Sequence, residues 1–213
     1  MAIDVNELFE ELGGLPQVEA IALGGSRATG RNDEKSDYDV YVYVTGSIDE
    51  NERRSILDKY CGYMEIGNSF WELEDDVTLK DGIDMDIIYR NMEEFEGMVS
   101  SVVTDCVPWN GYTTCMWHNL ITSKIVLDKQ GKLNAMQEKY RIPYPKKLKE
   151  NIIFALNEMT HPGEKRMQSI CSKECSVLPH NFDENLNRLF DGMFRENIAP
   201  VIHEMVEELK KVS

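Results

Sequence analysis

Two aspartates spaced two apart, Asp37 and Asp39, open the run Tyr38-Asp39-Val40-Tyr41-Val42-Tyr43-Val44, and a second such pair, Asp84 and Asp86, lies in Ile83-Asp84-Met85-Asp86-Ile87-Ile88-Tyr89. Side chains alternate along a strand, so each pair points to one face. Carboxylates held side by side on an otherwise apolar strand repel each other and lose hydration, a cost that a cation removes. Hard oxygen donors of this kind suit Mg²⁺ or Mn²⁺. Upstream, Gly24-Gly25-Ser26-Arg27 ends a short apolar run. Two glycines let the chain turn sharply and approach a ligand closely. A helix opening at Ser26 would add its first N–H groups and the Ser26 hydroxyl to a phosphate cradle, with Arg27 beside it. Taken singly, each feature has a bland reading, as a common turn or a solvated strand edge. Their combination points to a metal-assisted reaction at phosphorus, for which clustered carboxylates are the usual requirement. Spacing alone leaves Asp84 and Asp86 equal candidates for the third carboxylate.

Gly24-Gly25-Ser26, Asp37-Tyr38-Asp39 and a later Asp in an apolar strand together resemble the DNA polymerase β-like nucleotidyltransferase superfamily. Within it, Gly25-Ser26-Arg27-Ala28-x-Gly30 is similar to the motif of the small-molecule and minimal branches, which include aminoglycoside and lincosamide adenylyltransferases and antitoxin-type enzymes. Asp86-Ile87-Ile88-Tyr89-Arg90 looks like the third-carboxylate strand, and this likeness selects Asp86 over Asp84. The resemblance spans about residues 20–90. It implies that Asp37, Asp39 and Asp86 are catalytic and bind Mg²⁺ or Mn²⁺, and that Gly24, Gly25, Ser26 and Arg27 bind the nucleotide. The implied reaction moves a nucleoside monophosphate, with AMP from ATP the first expectation and another NTP the second, to a hydroxyl of a small molecule such as an antibiotic. Pyrophosphate leaves. Segments around Gly111–Asn119 and Leu156–Arg166 resemble uncharacterised bacterial relatives that carry more helix between them, so a homo-oligomer or partner chain could complete the acceptor pocket.

These residues need elements to hold them. Val5, Leu8, Phe9 and Leu12 recur at helical spacing before Gly13-Gly14, a helix stop. Strands are predicted over 18–23, 38–44 and 83–89, and helices over 49–62 and 93–103. From Tyr112 onward the pattern predicts helices near 112–128, 132–140, 146–160, 183–193 and 196–211, and no strand. The expected fold is therefore α/β, a small mixed-sheet nucleotidyltransferase domain over 1–105 followed by an α-helical acceptor-binding or interaction domain over 106–213, with the site in the cleft between them.

Charge divides along the same boundary. Residues 1–105 carry 25 acids and 8 bases, a net of −17, whereas residues 106–213 carry a net of +2. A half this acidic repels a phosphate backbone, which argues against a nucleic-acid partner and for cations, whether metal or a cationic acceptor. Many of the acids, Glu72, Glu74, Asp75 and Asp76 among them, read as solvated surface. No apolar run approaches the length of a membrane span, the acidic N-terminus does not read as a targeting signal, and five scattered cysteines suit reduced thiols. A cytoplasmic protein is expected, with no membrane partner. Cys171 and Cys175, four apart, have no companion pair for a metal and read as ordinary thiols.

Other candidates have weaker cases. His118 and His161, each a lone histidine, read as structural residues, and Lys124 and Lys165 as surface lysines. Two rival readings use the same motifs differently: an antitoxin or regulator acting on a protein partner, and a non-catalytic nucleotide sensor. A plain metal- or anion-binding α/β protein is a third.

Overall fold

A computed structural model describes residues 4–107, 114–143, 157, 159, 167–192 and 199–212. Helix α1 (Val5–Gly14) starts where the Asp4 carboxylate accepts the Asn6 N–H at 3.0 Å, and buries Leu8, Phe9 and Leu12. Strand β1 (Val18–Leu23) runs into α2 (Gly25–Thr29), and β2 (Tyr38–Val44) follows. Helix α3 (Glu50–Leu57) is capped by Asp49, whose carboxylate accepts the Asn51 N–H at 2.8 Å. Then come β3 (Cys61–Asn68), β4 (Leu73–Leu79), β5 (Asp84–Asn91) and α4 (Met92–Val103). Helix α5 (Cys115–Thr122), β6 (Lys124–Asp128) and α6 (Lys132–Tyr140) complete the sequence up to residue 140.

The fold is α/β. Six strands form one mixed sheet in the order β3-β4-β5-β2-β1-β6. Only β2 and β5 are parallel; the other neighbours are antiparallel. Parallel neighbours need a long crossover. Here it contains α3 and the β3–β4 hairpin. One face of the sheet holds the main core, where Val40, Val42, Met85, Ile87, Val77 and Leu79 meet Leu8, Leu12, Ile56 and Leu57 of α1 and α3.

By packing, Met1–Ser101 with Asn119–Arg141 form one compact unit, and Val102–His118 with Ile142–Ser213 a second. In the second unit, helices Met167–Glu174, Phe182–Gly192 and Ala199–Val212 are described. Cys171, Phe182 and Leu186 form a small core there, with Met159, Cys175 and Met205 packed against it. Among the described residues no helix is long and apolar enough to cross a membrane.

Three strands depart from the sequence expectation. The helix predicted over 112–128 ends at Thr122, and β-branched Ile125-Val126 continues as β6 at the sheet edge, paired with β1. The helix predicted over 49–62 stops at Leu57, and Cys61 already belongs to β3. Strand β4, Leu-Glu-Asp-Asp-Val-Thr-Leu, has its alternation masked by four polar positions. The helix predicted over 146–160 and His161 lie outside the described residues, apart from Asn157 and Met159.

Candidate active site

The Gly24-Gly25 turn is seated against the start of β2. The Gly24 N–H donates to the Asp39 carbonyl at 2.7 Å. Gly25 has φ +56°, a left-handed conformation that favours glycine. A Cβ at Gly25 would lie 1.8 Å from Asp39 Oδ2, and one at Gly24 would lie 2.5 Å from the Tyr41 ring. Both glycines are therefore required by close approach: the Asp39 carboxylate presses on the backbone of one and the Tyr41 ring on the other. The turn opens α2 one residue earlier than the sequence suggests, and Gly30, at φ +69°, closes it after five residues. Within this short helix the Ser26 hydroxyl oxygen is buried and, among the described residues, has no hydrogen-bond partner. An orphaned buried hydroxyl is costly and suits a site that receives a polar group.

Asp39 and Asp86 are brought together by register. They are direct partners in the parallel β2–β5 pair and so share a face, and both are half-buried. Asp37 stands one residue before β2, also half-buried. Asp84 is placed differently. It is exposed at the first position of β5, pairs across to Thr78 of β4 and accepts that residue's hydroxyl at 2.8 Å. Arg27 points its guanidinium to the loop before β2, where Nε donates to the carbonyls of Ser36 and Asp37, each at 3.0 Å.

The acidic face is wider than the sequence suggests. Asp76 of β4 is the partner of Asp86, and Glu74 lies two residues along on the same face. Both are half-buried rather than solvated. Burial, followed by a side-chain hydrogen bond with Asp76 and the charges of Asp76, Asp86 and Glu72, pushes the Glu74 carboxyl up to about 7. Asp75 points to the opposite face, is fully buried and is ion-paired with Arg53 of α3. Glu72 binds Arg90 through two bonds of 2.8 Å. The expectation that these four acids are solvated surface is therefore corrected for each. Strand alternation through Glu74-Asp75-Asp76 was the available signal.

Beneath the acids the same face turns cationic and aromatic. The Arg90 guanidinium lies 4.2 Å from the Tyr41 ring and 4.8 Å from Phe95, and Tyr43 meets Phe95 edge-on at 5.3 Å. The ring that fills the space under Gly24 is thus itself backed by a buried ion pair. His118 is half-buried on α5, and Lys124 is exposed on the edge strand β6.

The donor chemistry fits a divalent cation: half-buried carboxylates in register, next to a turn that a Cβ would fill. Among the described residues, no group of three or more His, Cys, Asp or Glu side chains is already closed around a cation position. Register supplies the Asp39–Asp86 pair.

Residues 5–110 match the family model of the nucleotidyltransferase domain. No curated protein matches the sequence. Among solved structures, a toxin–antitoxin with AMP-PNP is 15% identical, with a TM-score of 0.32, over 63% of this chain and 82% of that one. A nucleotidyltransferase-like protein from Exiguobacterium sibiricum is 9% identical, with a TM-score of 0.36, over 98% of this chain and 72% of that one. A Thermotoga maritima CCA-adding enzyme complexed with tRNA is 15% identical, with a TM-score of 0.33, over 98% of this chain and 64% of that one. Superpositions this loose do not constrain activity or substrate. Motif, sheet and family match agree on the N-terminal part: residues 5–110 are a nucleotidyltransferase domain, in keeping with the polymerase β-like superfamily.

Proposed function

We propose that the protein is a divalent-metal-dependent nucleotidyltransferase that moves a nucleoside monophosphate, AMP from ATP in the first instance, to a hydroxyl acceptor. The observation that carries this reading is the contact of Gly25 with the Asp39 carboxylate, with Asp86 in register beside it. Phosphate cradle and carboxylates are thereby parts of one structure. Asp37, Asp39 and Asp86 would hold Mg²⁺ or Mn²⁺, which supplies charge neutralisation and Lewis-acid polarisation at phosphorus. The Gly24–Ser26 backbone and the orphaned Ser26 hydroxyl bind the triphosphate. The acceptor oxygen bonds to the α-phosphorus, the bond to the bridging oxygen breaks, and pyrophosphate leaves. Asp86 takes the acceptor's proton. Positioning and electrostatics account for the rate, since no side chain becomes covalently attached.

The acidity of the N-terminal half favours a cationic small-molecule acceptor such as an aminoglycoside, and the scattered cysteines suit a cytoplasmic setting. Incubation with each α-labelled NTP, Mg²⁺ and panels of small molecules, proteins and RNA tests the reading. Label transfer with pyrophosphate release is expected, lost in Asp39→Asn and Asp86→Asn. Transfer to a protein or to RNA replaces the acceptor class and keeps the site. Nucleotide binding without transfer to any panel makes the chain a sensor and overturns the enzymatic reading.

A further inference from the structure

We infer that Arg27 is a positioning residue that fixes the Asp37 segment, not a ligand of the nucleotide phosphates. The inference rests on the proposed metal role of Asp37. Three contacts stitch α2 to the chain entering β2. The Gly24 N–H holds the Asp39 carbonyl, Gly25 abuts the Asp39 carboxylate, and Arg27 holds the carbonyls of Ser36 and Asp37. Of these three, the third acts on Asp37, which stands one residue before β2.

The guanidinium is used on its edge and on one face. Nε bridges the two carbonyls, a terminal nitrogen donates again to Ser36, and Cζ lies over the Tyr38 ring, 3.8 Å from its centroid. A planar fork that both donates and stacks is a geometry arginine supplies and lysine does not. The loop it grips is already tightly turned. The Asp33 N–H donates to the Ser36 hydroxyl at 2.9 Å, that hydroxyl donates to Asp33 Oδ1 at 3.0 Å, and the Lys35 N–H donates to the same oxygen at 3.0 Å. Ser36 is buried. The turn sets the local shape, and Arg27 sets where that shape sits relative to the Gly24-Gly25 cradle. Asp37, the carboxylate with the least strand support, thereby receives a fixed backbone from the element that follows the phosphate turn.

Four variants separate bracing from phosphate binding, read first by hydrogen exchange without nucleotide or metal. In Arg27→Ala, amides over 34–39 exchange about tenfold faster or more, the scale of losing charge-assisted hydrogen bonds, while α1 and β1 keep wild-type protection. The Mn²⁺ concentration for half-occupancy, followed by electron paramagnetic resonance, rises by about tenfold as well. Tyr38→Leu, which removes the stacking ring and no phosphate contact, shifts both readouts in the same direction by about two- to threefold. Arg27→Gln, a planar donor without charge, comes out no worse than Arg27→Lys. A phosphate ligand predicts the reverse order, with Lys near wild type and Gln like Ala. The inference is overturned if Arg27→Ala leaves exchange over 34–39 and the Mn²⁺ midpoint unchanged while the KM for NTP rises. If wild type binds no Mn²⁺, the metal role of Asp37 fails, whereas the exchange result still decides the brace.

Discussion

The two faces of the sheet both bury carboxylates and deal with them in opposite ways. On the α1/α3 face, Asp75 is fully buried and Arg53 neutralises it, with the Gly67 N–H adding a bond of 2.9 Å. On the other face Asp39, Asp86 and Asp76 stand in register with Glu74 two residues along, and burial, then the Asp76 hydrogen bond and the charges of Asp76, Asp86 and Glu72, lift Glu74 to about 7. Lower on that face Glu72 has its own arginine, Arg90. The fold thus supplies internal cations where carboxylates serve structure. At the sheet end beside Gly24-Gly25 it concentrates negative charge, which in our account serves a cation from outside.

The largest effects should appear where that concentrated charge is removed. Asp39→Asn and Asp86→Asn should each lower transfer on the order of 10³-fold, the several kcal/mol expected of metal-assisted charge stabilisation. Their melting temperatures should equal or exceed that of wild type without metal, because like-charge repulsion is relieved. A fall in both activity and stability would make these acids structural. Gly25→Ala should lower activity about 10²-fold, since its Cβ must displace the Asp39 carboxylate, and a small misplacement at a reacting centre has that scale. Kinetics on the folded fraction checks it.

Across the sheet the pattern should reverse. Arg53→Leu leaves Asp75 buried without its cation and should cost about 3–5 kcal/mol in denaturant unfolding. Activity per folded molecule should stay within about threefold of wild type. A selective loss of activity would break the division between the faces.

The smallest effect is in pH dependence. Glu74 has a folded-state pKa near 7, above its ordinary 4.5. The folded state therefore holds this proton more tightly than the unfolded chain. The associated stability is fully present below about pH 4.5 and is lost as pH rises through 7. Glu74→Gln should melt a few degrees higher than wild type at pH 8, and the gap should shrink as the pH falls below 7. A pH-independent gap would show that burial and the neighbouring acids do not hold the carboxyl up.

How far these features are legible in the sequence follows from what masks them. Strands β1, β2 and β5 carry apolar alternation or β-branched runs, and the pairs Asp37/Asp39 and Asp84/Asp86 stand out against them. Spacing does not choose between Asp84 and Asp86; in the structure Asp86 stands in register with Asp39, whereas Asp84 is exposed and bonded to Thr78. Strand β4 is hidden because both of its faces bury acids, one against Arg53 and one against Asp86, so polarity there does not mean solvent. Strand β6 is hidden because Lys124–Asp128 directly follows a helix, and only pairing with β1 tells an edge strand from a further helical turn. Arg27 next to a phosphate-like turn suggests a phosphate ligand. Its bonds to Ser36 and Asp37 depend on a loop closure that local sequence does not encode.

Under the proposed function, Asp39 and Asp86 face a cation from outside the chain. Mn²⁺ titration of the purified protein, followed by electron paramagnetic resonance, tests it most directly. Wild type and Asp84→Asn should bind Mn²⁺ alike, and Asp39→Asn and Asp86→Asn should lose at least one bound ion. Equal binding by all four proteins would contradict the account.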